Sequence, residues 1–122
     1  MANTNQSETI LTALHYLFTH SGEEVVAHCL DLDLVTSGRT IEQAEERLNA
    51  VVVAQIGMCF GGGNFGQLRF KAPSEYWGAL SDARELERTH LEVEVPPVVL
   101  PVKRSVVNLP VYRHESALAA AA

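Results

Sequence analysis

Basic residues are scarce in the first half of this 122-residue chain. Residues 1–60 hold only Arg39 and Arg47 against eight acids, a balance of −6 (2 − 8), whereas residues 61–122 hold seven of each. The whole net charge of −6 therefore belongs to the first half. Such a surface repels phosphate and suits a basic partner, although it also serves plain solubility. Cysteine is equally sparse. Cys29 and Cys59 are too few for a disulfide scaffold and read as reduced, buried thiols of a cytoplasmic protein. Long apolar runs are missing too: the longest, residues 50–60, is broken by Gln55 and too short to cross a bilayer. The opening Met-Ala-Asn-Thr-Asn-Gln-Ser-Glu has neither the bases nor the apolar stretch of a secretory signal. What is present, 47% hydrophobic and 20% charged residues, excludes a disordered chain and suits one domain, residues 1–122.

Periodicity then divides the chain. Residues 9–20 are aromatic and β-compatible and read as a strand of up to ten residues. Ser21-Gly22-Glu23 is a hairpin turn, residues 24–30 a returning strand, Asp31-Leu-Asp a connection and residues 34–37 a third strand. Gly38 turns the chain again. Thr40 is placed to cap a helix, with Gln43 at the N3 position of a capping box. Ile41, Ala44, Leu48, Val51 or Val52, and Gln55 or Ile56 recur at spacings of three and four, which predicts a helix from Ile41 to about Phe60. Its far end is hydrophobic nearly all round and needs covering, by the C-terminal half or by a second subunit.

Gly61-Gly-Gly-Asn-Phe-Gly ends that helix and, lacking a Lys-Ser/Thr partner, is no phosphate loop. Beyond it, Leu68-Arg-Phe reads as a short strand, and Pro73-Ser-Glu opens a second helix to Ala83 or Arg88 with Tyr76, Trp77 and Leu80 inward. Leu91-Glu-Val-Glu-Val alternates strictly and Pro96-Pro97 stops it. The valine-rich phrases at 98–102 and 105–111 contain prolines, which assigns them to sheet edges or extended arms. Residues 117–122 make a frayed tail.

Val25-Val-Ala-His-Cys-Leu-Asp-Leu followed by residues 34–48 resembles the N-terminal core of the HicB family, the antitoxin half of bacterial toxin–antitoxin pairs. The resemblance covers about residues 10–56, within a HicB-like core of residues 10–60. Gly38, Thr40, Ile41 and Ala44 fit the family's helix-opening phrase, with Gln43 in place of its usual acid. Asp31 and Leu32 fit the phrase before the third strand, where Leu30 and Asp33 replace prolines. The resemblance implies an α+β fold, an antiparallel β-β-β-α-β sheet of truncated ribonuclease H type, here followed by a second short helix and a C-terminal strand arm. It implies a homo-oligomeric, non-enzymatic binding protein whose acidic face (Asp31, Asp33, Glu42, Glu45 and Glu46) engages a small basic HicA-type ribonuclease toxin. The alternative is a solitary, oligomeric HicB-like protein without a toxin partner. The family's usual DNA-binding segment is missing: Leu91-Glu-Val-Glu-Val is followed by prolines, and its glutamates repel phosphate. No nucleic acid is therefore expected to bind directly.

Catalytic readings are weaker. A divalent-metal nuclease would need Asp31 and Asp33 to converge with Glu42 or Glu45, whereas a loop aspartate more commonly bonds local amides. His28 and Cys29 are adjacent on a strand and point to opposite faces; His15 and His20 likewise diverge, and His90 and His114 have no partner at ligand spacing. Nothing nominates a base for Cys29. Tyr76 and Trp77 read as anchors of the second helix. No cofactor or metal is expected.

Overall fold

The computed structural model describes residues 13–62, 71–95 and 105–116. The expected strand start at 9–12, the strand at 68–70, the proline stop at 96–97, the phrase at 98–102 and the tail at 117–122 lie outside the described residues. In chain order the elements are β1 (Leu14–Ser21), β2 (Glu24–Cys29), β3 (Leu34–Gly38), α1 (Ile41–Gly62), α2 (Ser74–Ala79), a 3₁₀ turn (Leu80–Asp82), β4 (Arg84–Glu85), β5 (Thr89–Val95) and β6 (Ser105–Glu115).

The first half follows the sequence closely. β1 and β2 close on a two-residue loop in which Gly22 takes φ +63°, with Ser21 opposite Glu24. Thr40 caps α1, its hydroxyl accepting from Gln43 N at 3.0 Å. The reciprocal bond is displaced by one residue: Gln43 Oε1 accepts from Arg39 N at 2.8 Å. Gly38 is required by close approach rather than by a turn, because a Cβ there would lie 2.7 Å from Ala44 N. Ala44, Leu48, Val52 and Ile56 form the buried stripe of α1. They pack on Leu14, Tyr16, Phe18, Val25, Ala27 and Cys29 from one face of the sheet. Val51 and Met58 stay exposed, so the described part of the C-terminal half covers the helix only in part.

Three expectations need correction. The sheet is mixed, in the order β3-β2-β1-β6-β4 with β5 also on β6, and β1 runs parallel to β6 from Leu14↔Val111 to Phe18↔Glu115. The meander leaves one edge of β1 free, and the crossover that contains α1 is long enough to return a parallel strand there. β6 is an edge only in its first part: residues 105–110 pair with β5 alone, as Pro110 suggested, whereas from Val111 onward the strand lies inside the sheet rather than forming an arm. That proline precedes Val111, where pairing with β1 begins, so only one side of the strand is paired at its position. The second helix ends at Ala79 and passes into the 3₁₀ turn, well short of Arg88. Gly78 weakens helix continuation, and Ser81 Oγ takes the Gly78 carbonyl at 2.7 Å.

α2 packs on the sheet face opposite α1, where Leu17, Leu30 and Ala72 are buried beneath Trp77, Ala79, Leu80 and Ala83. Tyr76, expected inward, is 39% exposed. β4 and β5 are one interrupted edge: between Glu85↔His114 and Thr89↔Val111, residues 86–88 oppose only residues 112 and 113. The extra residue is a bulge, pinned by Leu86 N donating to Arg113 O at 2.8 Å.

Candidate functional site

The acids singled out from the sequence do not form one face. Asp31 follows β2 with its side chain only 12% exposed. It accepts from His15 N at 2.5 Å through Oδ1 and meets His15 Nδ1 at 3.0 Å through Oδ2. Its partner is thus a residue of β1 rather than a local amide. Asp33, at φ +54°, places Oδ1 2.8 Å from His28 Nε2. Asparagine and aspartate tolerate this left-handed backbone better than other side chains do. Glu45 turns inward to a bidentate pair with Arg113 of β6, Nε to Oε2 at 2.7 Å and Nη2 to Oε1 at 2.8 Å. Both side chains are nearly buried, 13% exposed for Arg113 and 14% for Glu45. Glu42 and Glu46 remain on the solvent side of α1.

The structure instead brings together two histidine–aspartate pairs and the aromatic residues of α2. His15 and His28 both face away from α1, on adjacent strands. Trp77 stands edge-on to His15 with ring centroids 5.3 Å apart, and Tyr76 edge-on to His28 at 4.8 Å. Tyr112 stacks on His15 at 5.3 Å, with the Arg88 guanidinium 5.3 Å from the Tyr112 centroid. Beside them, at the bulge, Glu85, Leu86, Arg88, Tyr112 and Arg113 line an open depression of about 320 Å³. The Asp31 carboxylate fixes the orientation of the His15 ring, and His28, only 7% exposed, owes its polar partner to Asp33. These pairs tie α2 and the β2–β3 connection to the sheet. Sequence reasoning missed them because each joins residues across a turn or across strands. The one available signal was His28 and Asp33, which flank a short turn.

Chemistry at the remaining candidates is limited by burial. Cys29 and His28 do point to opposite faces, and Cys29 lies in the core beneath α1. Burial, with Asp31 nearby, pushes its thiol up to about 12, far from a nucleophile's range. Burial likewise raises the Tyr16 hydroxyl, which donates to Asn49 Oδ1 at 2.7 Å. Glu115 is held below the usual carboxylate range by hydrogen bonds from Arg84 and His20. Among the described residues no three His, Cys, Asp or Glu side chains gather as metal ligands, and Asp31, Asp33 and Glu45 each face a different basic group.

The fold and this patch define an α+β protein with a mixed six-stranded sheet and two helices among the described residues. No described helix is long and apolar enough to cross a membrane. No family model, curated protein or solved structure matches the chain.

Proposed function

We propose that this chain is a HicB-like binding protein, cytoplasmic and without catalytic activity, whose acidic surface masks a small basic protein such as a HicA-type ribonuclease. The observation that carries the reading is topological. An antiparallel β1-β2-β3 meander leads into a long capped helix, and β6, reached only after α2, β4 and β5, lies parallel beside β1; apart from those intervening elements this is the arrangement of a truncated ribonuclease H core. The Gly38–Ala44 phrase that suggested the family occupies the β3–α1 junction, where Gly38 admits the helix backbone and Thr40 caps it. Likeness of fold and phrase is analogy, and the surface must supply the function.

The surface narrows the acidic face. Asp31 and Glu45 are consumed by His15 and Arg113, leaving Glu42 and Glu46, with Asp33 half-exposed, to meet a basic partner. On β5 the exposed Glu92 and Glu94 support a surface that turns nucleic acid away. The non-enzymatic reading is supported by Asp31 and Asp33, which bond separate histidines rather than converge.

The test is affinity capture on the purified full chain at low ionic strength, followed by elution in high salt and mass spectrometry. The expected result is a small basic ribonuclease, silent while bound and active once eluted, whose retention is lost with Glu42→Lys/Glu46→Lys. Retention that the double reversal leaves unchanged, or capture of no basic protein, overturns the proposal.

A further inference from the structure

β3 is paired with β2 along its whole length, from Val25↔Gly38 to Cys29↔Leu34, and with no strand on its outer side among the described residues. Proteins usually guard such an edge with lysine, proline or a bulge. Leu34-Val-Thr-Ser-Gly has none of these, and its Val35 is 56% exposed. Thr36 Oγ1 donates to Ala44 O, so Thr36 faces α1 and Val35 faces the opposite side, where Tyr76 is also exposed. On the α1 side, Arg47 donates through Nη1 to Ser37 O at 2.8 Å, which turns that stripe of the helix toward the β3 edge. Val51, Ala54 and Met58 continue the same stripe at helical spacing, and all three are exposed. Exposed apolar groups therefore flank the open edge on both faces of the sheet.

We propose that this edge joins two copies of the chain, β3 pairing antiparallel with its own counterpart about a two-fold axis while the α1 stripes meet above the junction. Charge selects a second copy over other occupants. Asp33 stands just before the strand, with its side chain 44% exposed, and Arg39 stands exposed just after it. Antiparallel self-pairing brings the start of one strand to the end of the other, so both charges are matched at both ends. A basic extended segment would be opposed at Arg39, and an acidic one at Asp33.

The register follows from the backbone. Ser37 O, held by Arg47, points away from β2, and alternation then turns the N–H and C=O of Val35 outward as well. Joining these outward residues centres the axis on Thr36, with Val35 opposite Ser37 and Asp33 opposite Arg39 of the second copy. A carbonyl has two lone pairs, so Arg47 keeps its bond to Ser37. The contact is isologous and closes at two copies. It does not rest on Glu42 or Glu46, but it takes Asp33, which in the dimer would no longer be open to a basic partner.

Sedimentation velocity on the full chain across the micromolar range tests it. The expected result is a concentration-dependent dimer, with Val35→Lys monomeric throughout and unchanged in circular dichroism. Arg39→Asp weakens association roughly tenfold or more at low salt, since it turns two matched exposed pairs into repulsions. Asp33→Asn removes the charge while keeping a side chain that suits φ +54° and can still meet His28, and it weakens association by less. A wild-type chain that stays monomeric overturns the proposal, and so does a dimer indifferent to all three substitutions.

Discussion

Removing one member of the Glu45–Arg113 pair is the sharpest test of the fold. Arg113 enters from β6 and Glu45 from α1; their forked contact is nearly shut off from solvent, and the guanidinium carbon lies 5.7 Å from the Phe18 ring centroid. Glu45→Leu leaves a guanidinium at an almost buried position with only the Glu87 carbonyl, at 2.9 Å, to receive it. Losing one partner of a buried pair costs about 3–5 kcal/mol; the slight exposure of this one places the expectation near the lower figure, about 3 kcal/mol. Out of the roughly 5–15 kcal/mol that holds such a domain together, this is a large share. Arg113→Met is expected to cost a similar amount by exposing the mismatch from the other side. The double variant Glu45→Leu/Arg113→Met replaces both charges with apolar groups and should recover most of the loss, giving a coupling of about 2 kcal/mol or more. Urea unfolding followed by circular dichroism measures all three. Single variants within about 0.5 kcal/mol of wild type, with no coupling, would show that water or another group carries these charges, and the reasoning fails. Glutamine variants on α1 bear on function. If Glu45 were a partner-facing acid, Glu45→Gln would weaken partner capture more than Glu42→Gln while leaving stability unchanged.

Two further outcomes follow from the geometry. Gly38→Ala drives a methyl group to 2.7 Å from Ala44 N and 3.1 Å from Ala44 Cα, both backbone atoms, and should cost about 1–3 kcal/mol in thermal melts. Gly57→Ala, with nothing within 4 Å of the new carbon, should be neutral or stabilising by up to about 1 kcal/mol, and equal effects at the two sites would refute the close-approach account. Glu115 has a folded pKa lowered from 4.5, so its stabilising contribution is present above the unfolded value and lost as pH falls through the folded one. Glu115→Gln should therefore flatten stability against pH in the acid range below 4.5 while changing little of its slope at neutral pH. A slope below pH 4.5 identical to that of the wild type would remove Arg84 and His20 as its cause.

The legible part of the sequence was local. The Gly22 turn, the Thr40 cap and the Ala44–Leu48–Val52–Ile56 stripe are each decided within a few residues, and the structure agrees with them. Pairing across the sheet was not legible. β1 is buried on both faces, Tyr16 and Phe18 under α1 and Leu17 under α2, so its hydrophobic pattern does not report which way its neighbour runs. Pro110 suggested an edge because a proline removes one donor, and at that position the strand is indeed paired on one side only; what no local signal showed is that it joins β1 from Val111 onward. The second helix was overextended because its apolar residues continue past Gly78, where a serine hydroxyl and a 3₁₀ turn end it.

The candidate site shows why charge along a chain differs from charge in space. Residues 1–60 carry the whole net charge of −6, which reads as one acidic face. Folding redistributes it: Arg113 crosses from the neutral half to take Glu45, while His15 takes Asp31 and His28 takes Asp33. Among the described acids of the first half, those that reach solvent are Glu23 and Glu24 at the hairpin, Glu42 and Glu46 on the helix, and part of Asp33. Glu42 and Glu46 lie one turn apart beside Arg39 and Arg47, so that surface is mixed rather than uniformly acidic. A basic partner held only by bulk negative charge would therefore leave as salt screens it. A partner that persists in salt must instead seat side chains against particular acids, and Glu42 and Glu46 are the pair whose removal separates these two modes of binding.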